Sequence, residues 1–181
     1  MSAVADDDVA TRARGGDRAA FEALIRSEKA GLYAFVRRYV GDRDDAYDVV
    51  QESFVAAWRA IGRYDPSRRF GVWLRAIALN KCRDHGRRAL VRRLAHGAFA
   101  AEQAHLPASE FDAEGEGRLA RLDRAVARLP PMYKEPLLLT TAGGLSHEEA
   151  AGVLGVSAKA VEMRLYRARR RLAELIDRPG A

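Results

Sequence analysis

The chain of 181 residues has a hydrophobic content of 48% and a net charge of +6, so it can form one or two domains with packed cores. Its one cysteine, Cys82, excludes an intrachain disulfide and a thiolate metal cluster. The acidic N-terminus has no apolar signal core, and no apolar run reaches the roughly 20 residues that cross a bilayer, which predicts a cytoplasmic protein without membrane insertion.

The first half of the chain predicts three packed helices. Asp17 is the expected N-cap of the first helix, which follows Gly15-Gly16. In the second helix, Trp58 is expected to turn inward with the other apolar residues. Helical spacing and turn signals place the three helices at about residues 17–41, 44–61 and 70–88, with a turn-rich loop at 62–69.

The second helix begins with the acidic pattern DDAYD at residues 44–48. Paired carboxylates of this kind can hold magnesium against a diphosphate, but the chain has no second acidic cluster to complete such an enzyme site. Acidic residues also suit the positive end of a helix dipole. Alternatively, Asp45, Asp48 and Glu52 align on one face, with Gln51 alongside, as a partner surface. The sequence leaves the last two interpretations open.

The third helix lies in a strongly basic block. Residues 61–100 contain ten basic and two acidic side chains, which indicates a polyanionic partner. Trp73, Asn80 and Arg87 are seven apart, with Arg83 on the same side, and this mixture suits unpaired bases that stack on a ring and bond to an amide. The alternative is that Trp73 belongs to the core and Asn80 is a satisfied polar residue.

Residues 89–117 break the apolar pattern and indicate a linker, although its start can continue the third helix. A second group of helices is expected from Arg118. Its first helix should end at Pro130-Pro131, and a buried helix should follow around residues 137–139.

Residues 146–172 predict a helix-turn-helix. Ser146 and Glu149 form a capping box, Gly155 suits the turn, and Ser157 can cap the second helix. In that second helix an apolar stripe lies beside a row of arginines that can enter a DNA major groove, although a solvated basic surface is the simpler alternative. The stripe is Val161, Leu165, Ala168 and Leu172, and the row is Arg164, Arg167 and Arg171.

The predicted fold class is therefore all-α: two small helical domains joined by a flexible linker, the C-terminal one a helix-turn-helix. No enzyme site is expected. His147-Glu148-Glu149 begins an HExxH pattern, but Ala151 stands in place of the second histidine. There is no Ser-His-Asp set, glycine-rich phosphate loop or Cys/His metal spacing, so neither a cofactor nor a metal is predicted.

Four motifs follow one another along the chain: DDAYDVVQESFVAAW (44–58), FGVWLRAIALNKCRD (70–84), ARLPPMYKEPLLL (127–139) and LSHEEAAGVLGVSAKAVEMRLYRARRRL (145–172). In this order they resemble bacterial sigma factors of the extracytoplasmic-function type, in the sigma-70 family. The resemblance implies a region 2-like domain at 9–95, a linker at 96–117 and a region 4-like domain at 118–178. It also implies core RNA polymerase, promoter DNA and an anti-sigma factor as partners.

The resemblance further implies roles for individual residues. Polymerase binding would fall to Asp45, Asp48, Gln51, Glu52 and Phe54. Recognition and melting of the minus-ten element would fall to Arg63, Tyr64, Arg68, Arg69, Trp73, Asn80, Arg83 and Arg87. Recognition of the minus-thirty-five element would fall to Ser157, Lys159, Ala160, Arg164, Arg167 and Arg171.

Two residues depart from the family pattern: Glu162, where a basic residue is common, and Pro136, which is expected to kink its helix. Two other functions remain to be weighed. A conventional helix-turn-helix regulator would bind a duplex operator without polymerase. A purely protein-binding helical adaptor would leave the arginine rows unexplained.

Overall fold

The computed structural model describes residues 3–97 and 117–177, and within those ranges it contains helices and no strands. The predicted all-α class is confirmed. The helices are α1 (Ala3–Arg14), α2 (Arg18–Val40), α3 (Arg43–Ala60), α4 (Phe70–Gly97), α5 (Arg118–Arg128), α6 (Pro131–Thr141), α7 (His147–Leu154) and α8 (Ala158–Asp177), with a 3₁₀ turn at Ile61–Arg63. We call α1–α4 the N-terminal unit and α5–α8 the C-terminal unit.

Side-chain caps define where the first helices begin. The carboxylate of Asp17 accepts a hydrogen bond from the backbone N–H of Ala20 at 3.0 Å, as the sequence predicted. Asp42 caps α3 in the same way, accepting from Asp44 and Asp45 at 2.8 and 2.9 Å. These hydrogen bonds, that of Asp45 foremost, hold the pKa of Asp42 below its ordinary value. Each cap satisfies amide donors that the first helical turn leaves without partners.

The core of the N-terminal unit lies between α2, α3 and α4. Leu32, Phe35 and Val36 of α2 are fully buried, as is Leu74 of α4. The prediction that Trp58 turns inward is wrong, because 39% of this residue is exposed. Its indole contacts Phe21 at a centroid distance of 5.0 Å, and the rest of the ring lies at the surface near the end of α3.

Two features of the N-terminal unit go beyond the prediction. Helix α1 packs on α2 with Ala10 and Ala13 buried. Alanine favours helices but adds little to an apolar pattern, so no clear periodic signal marks this helix. Helix α4 continues nine residues further than its predicted end at Arg88, to Gly97. Most of the predicted linker, residues 98–116, lies outside the described residues.

The C-terminal unit contains the predicted helix-turn-helix. Ser146 and Glu149 form the capping box at the start of α7, and Gly155 ends that helix with φ at +66°, a left-handed conformation that glycine adopts without a Cβ clash. The hydroxyl of Ser157 accepts from the N–H of Ala160 at 3.1 Å and caps α8. Below them, the leucines at 137–139 are buried as predicted.

Pro136 lies inside α6 and is buried, and the helix continues on both sides of it. Proline has no N–H, so the carbonyl of Met132, four residues earlier, loses its usual helical donor. One turn later the hydroxyl of Thr140 donates to the Pro136 carbonyl at 2.9 Å. Within the described ranges, none of these helices combines the length and apolar character needed to cross a bilayer.

Candidate functional site

A groove of about 550 Å³ runs along the exposed side of α3 and reaches α4; we call it the α3 groove. Its lining mixes acidic, amide, aliphatic and basic side chains, which suits a protein partner better than a nucleic acid. The lining residues are Asp48, Gln51, Glu52, Val55, Ala56, Arg59 and Lys81. Three of the five predicted polymerase-binding residues therefore meet in one surface.

The other two predicted polymerase-binding residues lie beside the α3 groove rather than in it. Asp45 is half-buried, and its carboxylate is 3.2 Å from Nε2 of His85 on α4. Phe54 is half-buried and packs against the core. Phe54 therefore helps to pack α3 against the core, and only part of its side chain is accessible to a partner.

Glu52 is the most constrained residue of the α3 groove. Its carboxylate lies 3.3 Å from Arg88 and 3.4 Å from Lys81, both on α4. The hydrogen bond from Arg88, followed by its charge and by Lys81, lowers the pKa of Glu52. Glu52 thus stays ionised and ties α3 to α4 under the groove.

Sequence reasoning missed the apolar part of the α3 groove. Val55 is 49% exposed, whereas the other two valines of α3 are buried in the core. Asp48, Glu52, Val55 and Arg59 are spaced four, three and four residues apart, which places them on one helix face. Extending the acidic row by two more helical steps would have found Val55 and Arg59.

In the loop before α4, one predicted minus-ten residue is buried and the others are exposed. Tyr64 is only 2% exposed, its ring contacts Phe70 and Trp73, and its hydroxyl donates to the Arg68 carbonyl. The prediction that Tyr64 faces DNA is therefore not supported, because its ring anchors the loop inside the fold. Arg63 and Arg68 are exposed.

The sequence left open whether Trp73 is a core residue or a surface ring for stacking, and the structure places it at the boundary between core and surface. It is half-buried, with centroid distances of 5.1 Å to Tyr64 and 5.6 Å to Phe70. Part of the indole belongs to this aromatic cluster and part remains accessible. About two helical turns further along α4, Asn80 is exposed, and Arg83 donates to it only at 3.4 Å.

The cations of the predicted minus-ten surface fall into two groups. Arg87 is exposed and pairs with Asp84 within α4. Arg69 and Arg83 instead contact the C-terminal unit, at Glu149 and Glu135 respectively. Glu135 is buried, and the hydrogen bond that it accepts raises the pKa of Arg83 above its already high value.

Helix α8 presents a row of three arginines beside its buried stripe. Val161, Leu165 and Ala168 are buried, and Arg167 and Arg171 are exposed. Arg164 is half-exposed at the start of the row. None of Arg164, Arg167 and Arg171 has a hydrogen-bond or ion-pair partner among the described residues. We call these three arginines the α8 row.

The residues at the start of α8 are already engaged. Lys159 lies 2.8 Å from Glu162, both exposed, and this contact lowers the pKa of Glu162. Ser157 caps the helix, and Ala160 is half-buried. Within the described ranges, no group of three or more His, Cys, Asp or Glu side chains could hold a metal ion.

Both units match families of known proteins. The family described as Sigma-70 region 2 matches residues 24–93, and the family described as Sigma-70, region 4 matches residues 119–172. The RNA polymerase sigma factor NccH of Alcaligenes xylosoxydans xylosoxydans is 38% identical over 95% of this chain and 95% of its own length. The chain belongs to the sigma-70 family of RNA polymerase sigma factors. It is of the extracytoplasmic-function type.

Two further relatives of this sigma factor have solved structures. CnrH of Cupriavidus metallidurans is 38% identical over 96% of this chain and 95% of its own length. Its structure in complex with the cytosolic domain of CnrY aligns with a TM-score of 0.74, 36% identity and coverage of 97% and 99% of the two chains. The sigma factor RpoE of Bartonella quintana, in complex with the anti-sigma factor NepR, aligns with a TM-score of 0.71 and 25% identity over 87% and 96%.

Membership in this family gives the activity. The chain is a sigma factor, which binds core RNA polymerase and directs the initiation of transcription at promoters. The matched segments cover both units described above, since region 2 falls on α2–α4 and region 4 on α5–α8.

Proposed function

We propose that the two units of this sigma factor divide promoter recognition between them while the α3 groove holds the polymerase. In this proposal residues 9–95 act as the region 2 domain, 96–117 as the linker and 118–178 as the region 4 domain. The observation that carries it is the separation of two unlike surfaces: a mixed polar and apolar groove on α3, and a purely basic row on α8.

The α3 groove fits a helical protein surface. Val55 and Ala56 provide apolar contact, while Asp48 and Gln51 lie within the same lining. A patch with an apolar centre and a polar rim is typical of protein interfaces. We propose that the clamp of core RNA polymerase binds here.

The loop before α4 and the exposed side of α4 would open the minus-ten element. Unstacking one base costs a few kcal/mol, and stacking on an aromatic ring returns roughly 1–3 kcal/mol. The accessible part of Trp73 and the exposed amide of Asn80 could together nearly balance one flipped base. Opening a whole bubble needs polymerase contacts as well, so strand separation is assigned to the holoenzyme.

The α8 row would read the minus-thirty-five element in duplex form. An arginine can donate two hydrogen bonds to one guanine in the major groove. The three guanidinium groups are available for this, since no described residue engages them. Glu162, close to them on α8, could accept from a cytosine amino group or reduce phosphate affinity.

We also propose control by an anti-sigma factor, in the cytoplasm where polymerase works. Support comes from the two solved relatives: one holds the cytosolic domain of CnrY and the other the anti-sigma factor NepR. In this proposal the chain contributes binding energy and no chemistry of its own, and the polymerase makes the RNA.

Reconstituted transcription tests the proposal. Core polymerase that lacks sigma is mixed with the full chain and a library of genomic promoter fragments, and the 5′ ends of the transcripts are sequenced. We expect starts that share two sequence elements at fixed spacing. Duplex binding without any transcript would contradict the proposal and favour a conventional operator-binding regulator.

A further inference from the structure

Among the residues that the structure describes, three ion pairs between the N-terminal and C-terminal units share the same polarity. In each pair the cation belongs to the N-terminal unit and the carboxylate to the C-terminal unit. The pairs are Arg83–Glu135 at 2.6 Å, Arg69–Glu149 at 3.0 Å and Arg38–Asp123 at 3.8 Å. Two of these cations, Arg69 and Arg83, belong to the proposed minus-ten surface.

Glu135 is the buried member of this interface, with only 6% of the residue exposed. Its two oxygens accept from Nε and Nη2 of Arg83 at 2.8 and 2.6 Å, and one also accepts from the Tyr39 hydroxyl at 3.1 Å. Tyr39 lies on α2 and Arg83 on α4, so both donors come from the N-terminal unit. A carboxylate removed from water is costly unless it is paired in this way.

Local sequence around Glu135 gives no reason for a buried charge. It lies beside Lys134 in α6, whose leucines at 137–139 belong to the core of its own unit. The partners of Glu135 come from the N-terminal unit, and separation of the units would return the carboxylate to water. Its burial therefore belongs to the contact between the units rather than to the fold of α6.

The contact at Glu149 is more exposed. Both carboxylate oxygens accept from Nη1 of Arg69, at 3.0 and 3.2 Å, while one also accepts from the Ser146 N–H at 2.8 Å. The Arg69 side chain keeps 67% of its surface exposed. An ion pair of this kind contributes little by itself, so a phosphate backbone can compete for Arg69.

We propose that the C-terminal unit is a built-in competitor for promoter DNA, with Glu135 and Glu149 occupying Arg83 and Arg69 until the two units separate. The two carboxylates take the place that anionic DNA takes in the active complex. This inference rests on the proposed role of α4 and its preceding loop at the minus-ten element.

The α3 groove remains open in this arrangement. The residues that line it make no hydrogen bond or ion pair with α5–α8 among the described residues. Polymerase can therefore dock on α3 before the units separate. In this proposal the units separate when polymerase binds the C-terminal unit as well.

The test uses the full chain with Glu135→Gln and Glu149→Gln combined. Glutamine keeps the capping box at Ser146, since its side-chain oxygen can still accept, but it removes the charge that faces Arg69. The matched control combines Glu22→Gln and Glu174→Gln, which removes one carboxylate from each unit. Among the described residues Glu22 pairs with Arg18, within α2, and Glu174 is exposed on α8.

Two measurements are made on each protein: the radius of gyration by small-angle X-ray scattering, and the affinity for labelled single-stranded oligo(dT) by fluorescence anisotropy. We expect the double variant to be larger than its control and to bind oligo(dT) at least about threefold more tightly, because more molecules are competent to bind. Glu135→Gln changes a buried residue and can impair folding. In that case Glu149→Gln alone, at the exposed contact, is tested, and it should change both quantities in the same direction.

Scattering curves that superimpose on those of the control would overturn the inference. So would a larger radius with unchanged oligo(dT) affinity, because the carboxylates would then not compete with DNA. If both quantities change while reconstituted transcription fails, the contact between the units stands and the proposed division of promoter recognition is the part that fails.

Discussion

At the scale of single residues, Arg164 offers the sharpest test of duplex recognition. It begins the α8 row and has no partner among the described residues. Arg164→Ala should weaken binding to the upstream promoter element by roughly 1–3 kcal/mol, the range for a bidentate contact to guanine. Electrophoretic gel shifts with duplex DNA measure the loss.

The matched control for Arg164 is Arg169→Ala. Arg169 is exposed on α8 but lies on the other side of the buried stripe from the α8 row, and the substitution removes the same charge. It should weaken binding much less, and equally for all sequences. If both variants lose the same affinity, the α8 row does not read bases.

Cys82 gives a residue-scale prediction about chemical reactivity. Burial, together with the nearby charge of Glu135, raises the pKa of its thiol to about 12. Because the thiolate is the reactive form, native protein at pH 8 should react with Ellman's reagent only as fast as it unfolds. The same thiol should react at once in guanidinium chloride.

The shifted pKa of Cys82 also sets a direction for stability at alkaline pH. Its folded-state pKa is raised, so the folded state holds the proton more tightly than the unfolded state does. The associated stabilisation is complete below the ordinary cysteine value of 9.0 and falls as pH rises from there towards 12. Rapid reaction of native protein at pH 8 would show that Cys82 is accessible, contrary to its burial.

At the scale of elements, the turn between α7 and α8 predicts a pair of opposite effects. Gly155 has φ at +66° and no atom near the place of an added Cβ, so Gly155→Ala should cost about 1–2 kcal/mol through backbone strain alone. Gly152 lies inside α7 with open space around it. Gly152→Ala should stabilise the helix by about 0.5–1 kcal/mol.

Chemical denaturation of the two glycine variants measures both free energies of unfolding. Because both substitutions add the same methyl group within one helix-turn-helix, their difference isolates backbone conformation. Equal changes in the two variants would contradict the left-handed conformation at the end of α7.

The α3 groove predicts a selective loss of polymerase binding. Val55 is 49% exposed within the groove, so Val55→Glu should leave the fold intact but weaken binding to core polymerase by about 2 kcal/mol or more, as for a central interface residue. Val91→Glu is the control, since Val91 is 65% exposed on α4 and does not line the groove. Fluorescence anisotropy with labelled sigma factor compares the two, and equal affinities would exclude the α3 groove as the docking site.

The elements show how far local sequence signals reach. Caps at Asp17, Ser146 and Ser157 and the turn at Gly155 correctly predicted helix limits, because each satisfies backbone groups within a few residues. Helix α1 was missed because its buried residues Ala10 and Ala13 are too small to give a periodic apolar signal.

Contacts distant in sequence could not be predicted from such signals. Tyr64 was expected to face DNA, but Phe70 and Trp73 draw its ring into an aromatic cluster whose geometry depends on the fold of the loop. Arg83 was expected to contact DNA, but the structure pairs it with Glu135, which is 52 residues away in the other unit. The candidate site was therefore predicted in its elements and not in its pairings.

At the scale of the whole molecule, the basic residues on α4 and its preceding loop differ from those on α8 in whether they are paired. The net charge of +6 suits a polyanionic partner, yet the structure engages Arg69 and Arg83 internally and leaves the α8 row unpaired among the described residues. In the proposed division of roles, the free protein approaches duplex DNA through α8 while part of its proposed minus-ten surface is covered. Promoter opening then becomes a property of the assembled holoenzyme.

Permanganate probing of a promoter tests the central claim, that the two units act on separate promoter elements while polymerase holds the chain. With core polymerase, the wild-type chain should make thymines near the minus-ten element reactive, and neither component should do so alone. Asn80→Ala, an exposed change on α4, should reduce this reactivity while the gel shift of upstream duplex stays unchanged. Equal loss in both assays, or reactive thymines without polymerase, would contradict the account.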